Sequence, residues 1–137
     1  MTQSPGPFRF PASHRLSGTL QFAAVFDGKC RKSVGPLTLV ARPNALPHNR
    51  LGCSVSRRVG TAVKRNRIKR LLREAYRLDQ HELPRSYDLV VIVHPHDTLS
   101  LDEYRTMLAG ACRMVHQEWQ RRQRRQKPPH DSGRVEP

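Results

Sequence analysis

Residues 63–77 read VKRNRIKRLLREAYR and set Lys64, Arg65, Arg67, Lys69, Arg70, Arg73 and Arg77 in one short segment whose only acid is Glu74. A guanidinium fork binds phosphate oxygens two at a time and stacks on bases, whereas an ammonium group acts as a point charge. An arginine-dominated segment is therefore chemistry for a polyanion, and it favours structured nucleic acid over a diffuse anionic membrane surface. The preceding residues, SRRVGTAV, place Arg57 and Arg58 before a turn at Gly60, with Thr61 positioned to cap a helix. Backbone N–H groups at a helix start favour an anion. Strand end, glycine turn and helix start thus make a phosphate site. It is not a nucleotide-binding P-loop, because no GxxxxGK(S/T) occurs.

Cutting a phosphodiester with protein side chains calls for clustered carboxylates around two metal ions. Here the acids are scattered, Asp27, Glu74, Asp79, Glu82, Asp88, Asp97, Asp102 and Glu103 among them, and no DxD or ExxE-like pair stands out. The best metal candidates are His94, His96 and Asp97 in HPHD, which lack an identifiable third and fourth ligand and read as a polar strand-end turn. Cys30, Cys53 and Cys112 are odd in number and without CxxC spacing, which argues for a reducing compartment and against a disulfide framework or a zinc ribbon. The expectation is a chain that binds a polyanion and holds no metal or cofactor of its own.

The elements that must position these residues follow from periodicity. On a helical wheel Ile68, Leu71, Leu72, Ala75 and Leu78 gather on one arc; Asn66, Lys69, Arg70, Arg73 and Arg77 gather on the other, with Arg65 and Arg67 near the borders. A face built only for solubility mixes signs; here Glu74 alone offers a partner, to Arg70 or Arg77. SGTLQFAAVFDG predicts a short helix with Thr19 or Ser17 as cap, Gly28 as its C-terminal glycine, and Phe22, Val25 and Phe26 on one face. GPLTLVARP and RLGCSVS predict strands paired as a hairpin across a long loop, and one more short strand fits near 30–35. YDLVVIVHP is a continuous apolar run, expected to be central in a sheet and ended by Pro95. SLDE at 100–103 is a capping box that opens a long amphipathic helix through Leu101, Tyr104, Leu108, Ala111, Val115 and Trp119.

The whole chain of 137 residues carries a net charge of +14 and 36% hydrophobic residues, so one compact domain with polar arms is expected. The boundaries predicted are an extended arm over 1–16, a nucleic-acid-binding domain over 17–120, and a basic, disordered tail over 121–137. No apolar leader heads the sequence, and the longest apolar run, LVVIV, is too short to span a bilayer, so a soluble cytoplasmic protein is the simplest reading. The chain is short for three layers, and the helices are expected to pack on one small mixed sheet in an α/β (α+β sandwich) fold of order α-β-β(-β)-α-β-α.

Residues 54–77, SVSRRVGTAVKRNRIKRLLREAYR, closely resemble the signature of the bacterial ribonuclease P protein subunit. That signature has a Ser-x-Ser-basic stretch, a Val-Gly-x-Ala-Val turn, and an Arg-Asn-Arg helix running on as Ile-Lys-Arg-x-x-Arg-Glu. FPASHRLSGTLQFAAVF looks like the family's N-terminal arm and first helix, YDLVVIVHP like its last strand, and the helix from SLDEY like its last helix; the likeness covers roughly residues 8–120. The resemblance implies a left-handed βαβ crossover. It implies a complex with one large catalytic RNA that removes the 5′ leader of precursor tRNA, using Mg2+ held by the RNA and needing no protein partner. It implies an RNA-facing helix carrying Arg65, Asn66, Arg67, Lys69, Arg70 and Arg73, with Arg57, Arg58 and Lys64 beside it, and a leader cleft lined by Phe22 and Phe26. One departure stands out: members often carry an aromatic on the first long strand of that cleft, where LTLV offers only Leu37, Leu39 and Val40, so contacts there must be apolar. The runner-up is another RNA-binding structural protein, such as one of the ribosome; a metal-dependent nuclease acting alone is disfavoured by the scattered acids.

Overall fold

The computed structural model describes residues 12–16 and 19–126. Its elements are α1 (Thr19–Asp27), β1 (Arg31–Val34), β2 (Leu37–Pro43), β3 (Arg50–Val55), α2 (Ala62–Asp79), β4 (Tyr87–Val93) and α3 (Leu101–Gln126). Short 3-10 turns lie at Ala12–His14, Arg57–Val59 and Gln80–Glu82. The strands form one mixed sheet in the order β1-β2-β4-β3, with β4 antiparallel to β2 and parallel to β3. The expected short strand near 30–35 is β1.

The expected hairpin between β2 and β3 does not form, because β4 inserts between them. The reason is burial. YDLVVIV is apolar at successive positions and needs cover on both faces and partners on both edges. Leu89, Val91 and Val93 face one side and Val90 and Ile92 the other, and all but Ile92 are buried. The smaller, more polar β3 is left at the edge.

All three helices pack on this sheet. The larger core joins Leu37, Leu39, Leu89 and Val91 to Ile68 and Leu72 of α2 and to Tyr104, Leu108 and Val115 of α3. On the opposite face a smaller cluster joins Leu16, Val25, Val40 and Val90, with Phe22, Phe26 and Ile92 packed against it. The expectation against a third layer is thus corrected by one nine-residue helix, α1, which covers apolar residues that β2 and β4 necessarily present on their second face.

The ends of α1 and α3 are tied together. Gly28 is not the left-handed residue expected after α1; Lys29 takes that conformation, with φ 54°. Gly28 instead allows close approach: a Cβ there would stand 3.2 Å from the Trp119 ring. Trp119 Nε1 donates to Ala41 O at 2.9 Å, and Arg122 donates to Gly28 O at 2.7 Å and Lys29 O at 3.0 Å. The helix therefore runs past Trp119 to Gln126, into the segment where a tail is expected, because Arg122 is anchored rather than free in solvent. Residues 127–137, the rest of that tail, and 1–11 of the arm lie outside the described residues. So does Ser17, one of the two caps considered for α1; Thr19, the other, is within the helix. At the opposite end of α3 the capping box closes as expected, Ser100 N donating to Glu103 Oε1 at 3.0 Å and Glu103 N to Ser100 Oγ at 3.2 Å.

Asn49 is the polar pin of the fold. It is buried, donates to Pro84 O at 2.7 Å, and accepts from Tyr87 N at 2.8 Å, so it fastens the β2–β3 loop to the start of β4. Asn49→Ala should cost about 2–3 kcal/mol, because two buried backbone groups lose their partners; urea unfolding checks this, and an unchanged midpoint would refute it. The Ser100 amide holds the Glu103 carboxyl below its ordinary value of 4.5. The stability this contributes is complete above that value and lost as pH falls through the lowered one. Glu103→Gln should therefore flatten the acid limb of stability in denaturation measured from pH 7 down to pH 3.

Candidate nucleic-acid interface

The route from β3 into α2 builds the site. After β3 the 3-10 turn Arg57–Val59 buries Val59 and leaves Arg57 and Arg58 exposed. Gly60 follows at φ 155°, and a Cβ there would meet the Lys64 side chain at 2.7 Å. Thr61 then caps α2 as expected, its hydroxyl accepting from Lys64 N at 3.2 Å. Arg65 Nε donates to Gly60 O at 3.2 Å, so this guanidinium is fixed against the turn.

Along α2, Ile68, Leu72, Ala75 and Tyr76 are buried. Tyr76 is a core residue that the apolar wheel left out, because its ring is apolar while its hydroxyl counts as polar. On the other side Asn66, Arg67, Arg70 and Arg73 are exposed, and Lys64, Arg65 and Lys69 are half-buried. Glu74 pairs with Arg77 in a bidentate bridge of 2.9 and 2.6 Å. Among the described residues, no carboxylate bridges to Arg57, Arg58, Lys64, Arg65, Arg67, Lys69, Arg70 or Arg73. Elsewhere the chain does pair its arginines: Arg50 with Asp88, Arg105 with Asp79, Arg122 with Glu118. The first turn of α2 carries no acid either, although carboxylates are the favoured partners of a helix N-terminus. The face is left uncompensated, and an external anion lowers its energy.

On the other side of the sheet Phe22 and Phe26 make an edge-to-face pair, with ring centroids 6.5 Å apart and planes at 88°. Both are half-buried, so each ring is packed on one side and presented on the other. Phe22 lies directly on Gly52 of β3, where a Cβ would fall 2.7 Å from the ring. Ile92 packs against the same small cluster as the two rings and also lines a recess of about 160 Å³ with Ser54, Ser56, Arg58 and His94. Ser54 of this recess lies two residues along β3 from Gly52, on which Phe22 rests, and Arg57 and Arg58 follow the same strand.

Ser54, Ser56, Ile92 and His94 are not among the RNA-binding residues expected from the sequence, although the Ser-x-Ser of the signature contains the two serines and HPHD contains His94. Nothing local ties Ile92 to Arg58. On β2, Leu37 and Leu39 face the main core, and the cleft side carries Thr38 and Val40. The expected wholly apolar wall is thus partly polar: Thr38 Oγ1 lies 2.8 Å from Ser33 Oγ and 2.9 Å from His94 Nε2.

His96 Nε2 is bound to the Tyr104 hydroxyl at 2.7 Å, and its Nδ1 lies 2.8 Å from His94 O. Among the described residues no group of three His, Cys, Asp or Glu side chains could hold a metal ion. Burial pushes the Cys53 thiol up to about 11 despite Arg73 and Lys69 nearby, so it stays a thiol at neutral pH.

Gly52→Ala should force Phe22 off β3 while leaving the main core on the other face intact. The expected outcome is a small change in melting temperature and at least a severalfold loss in affinity for single-stranded RNA. Fluorescence anisotropy with a labelled oligonucleotide measures it; unchanged affinity would detach Phe22 from binding.

The sequence matches the Ribonuclease P family over residues 10–116. It is 52% identical over 77 residues to the ribonuclease P protein component of Methylococcus capsulatus, a stretch covering 56% of this chain and 60% of that protein. It is 46% identical over 85 residues to that of Photorhabdus laumondii, covering 61% and 71%. Among solved structures, the RNase P protein from Thermotoga maritima superposes with a TM-score of 0.60 at 26% identity, covering 66% of this chain and 87% of that one. The Staphylococcus aureus RNase P protein superposes at 0.66 with 24% identity, covering 74% and 94%, a likeness of fold. With most of its length inside the family match, and with the basic turn and helix of that family's signature assembled as one surface, this chain belongs to the ribonuclease P protein family.

Proposed function

We propose that this chain is the protein subunit of ribonuclease P and works as an RNA-binding accessory. The cationic face from Arg57 to Arg73 holds the catalytic RNA, and the cleft at Phe22 and Phe26 takes the single-stranded 5′ leader of precursor tRNA. One observation carries the reading: a half-exposed aromatic pair and a basic turn are set on the same edge strand, Phe22 against Gly52 of β3 and Arg57 and Arg58 directly after Val55 and Ser56. Charge holds a backbone, and exposed rings stack on unpaired bases, a combination suited to single-stranded RNA beside structured RNA. The leader is present in the precursor and gone from the product, so contacts to it discriminate substrate from product.

Hydrolysis in this proposal belongs to the RNA and its Mg2+. The chain's own donors fit that ion poorly, because Asp79, Asp88, Glu74 and Glu118 are each engaged by an arginine. What the protein adds is screening of two polyanions held together, which lessens the demand for magnesium. No helix among the described residues is long and apolar enough to cross a membrane. The cytoplasm, where precursor tRNA is made, is the proposed place of work, and no further protein is required.

Cleavage of a precursor tRNA by the catalytic RNA at low magnesium, with and without the protein, tests this directly. The protein should rescue cleavage, and precursor should bind the holoenzyme more tightly than mature tRNA. Arg65→Ala and Arg70→Ala should each weaken assembly and lower the slope of log K against log salt by about 1, the share of one phosphate contact. Full rescue by the double variant would overturn the assignment of that face. Equal affinity for precursor and mature tRNA would overturn the leader cleft.

A further inference from the structure

α1 carries Phe22 and Phe26, yet little in its own sequence holds it in place. It has nine residues, and isolated helices shorter than about 12 residues are marginal in water. Among its described side chains only Val25, between the two rings, is buried. Its last turn has no basic residue and ends on Asp27, a carboxylate at the end where the helix dipole favours a cation.

The cations come from elsewhere in the chain. Arg42 of β2 donates through Nη1 to Ala24 O at 3.1 Å, one of the last four carbonyls that a helix end leaves without intrahelical partners. Arg122 of α3 donates through Nη1 to Gly28 O at 2.7 Å and through Nη2 to Lys29 O at 3.0 Å. Its third nitrogen, Nε, donates to Glu118 Oε2 at 2.9 Å, and the guanidinium carbon lies 4.7 Å from the centroid of the Trp119 ring. Trp119 is fixed in turn by its bond to Ala41 O, and Glu118 also binds Arg121 and stands 4.0 Å from Lys32 of β1. Every nitrogen of one guanidinium therefore has its acceptor. Two acceptors are the carbonyls just beyond α1, and the third is the carboxylate that aims the fork. No described residue of α3 after Val115 is buried, so core packing does not account for the helix continuing to Gln126. Those last turns reach α1.

We propose that Arg122, aimed by Glu118 and Trp119, is a positioning residue for the bound 5′ leader: it caps α1 from α3 and so sets the angle at which Phe22 and Phe26 face the cleft. The proposal rests on the leader cleft described under the proposed function. Arg122 itself touches neither the leader nor the catalytic RNA. A lysine would keep the charge but offers one nitrogen in place of a planar fork, and it does not hold two carbonyls and a carboxylate at once. Without the cap α1 samples more orientations, and ordering the rings again on binding offsets part of their stacking on unpaired bases.

The test uses the full chain assembled with the catalytic RNA and reads the ratio of affinities for precursor and mature tRNA. Arg122→Lys and Glu118→Ala should each lower that ratio about fivefold (about 1 kcal/mol) by weakening precursor alone. Arg125→Gln, exposed and one turn further along α3, should leave the ratio unchanged. Glu118→Ala separates positioning from direct contact, because it removes a negative charge. An arginine that met RNA itself would be freed by it, and affinity would rise for both tRNAs. That rise, or a ratio preserved in Arg122→Lys, would overturn the proposal. Amide hydrogen exchange of the free protein gives a second readout: in Arg122→Lys the amides of 22–28 should exchange about tenfold faster, with those of β4 unchanged. Unchanged exchange in α1, or equal acceleration in β4, would also overturn it. A holoenzyme in which the unaltered protein confers no preference for precursor would overturn the leader cleft instead, and faster exchange of α1 in Arg122→Lys would leave the cap standing.

Discussion

The surface of this protein is set by what α2 must bury. Ile68, Leu72, Ala75 and Tyr76 are all buried against the sheet and α3. Burying an Ile or Leu side chain is worth about 1.5–3 kcal/mol, whereas one exposed like-charge pair on a helix costs a few tenths. Packing therefore outweighs repulsion, and the helix forms with its cations crowded on the free side. Because Thr61 and Gly60 fix where the helix begins, the same packing fixes where its positive end points.

The edge strand β3 stands between that face and the aromatic pair. β3 is narrow where it meets α1: Gly52 lets the Phe22 ring rest on the backbone, and Ser54 keeps the next position on that side small. A larger β3 would separate the two halves. Small residues on one face and Leu51, Cys53 and Val55 on the other let a single strand support aromatic rings on one side and carry a basic helix on the other.

Much of this was legible in the chain. The apolar arc of α2, its Thr61 cap, the capping box at Ser100 and Glu103 and the apolar run of β4 are local patterns, and each survived because burial and capping act over a few residues. The hairpin between β2 and β3 did not survive. Strand pairing depends on which third strand competes for an edge, and β4 lies more than thirty residues further along. The left-handed turn after α1 moved from Gly28 to Lys29 for a similar reason: Trp119 and Arg122, far along the chain, occupy the space beside Gly28.

The sequence by itself determined the two faces of α2 and the capping of α2 and α3. An excess of arginine on one helical arc is visible without coordinates, because charge and period are properties of neighbouring residues. The tertiary structure decided which of those cations lack a carboxylate among the described residues, that Leu37 and Leu39 face the main core while Thr38 and Val40 take the opposite face, and that Ile92 and Arg58 line one recess. These outcomes depend on distances between residues remote in sequence, and only the packing of α1, α2 and the central strand β4 sets those distances.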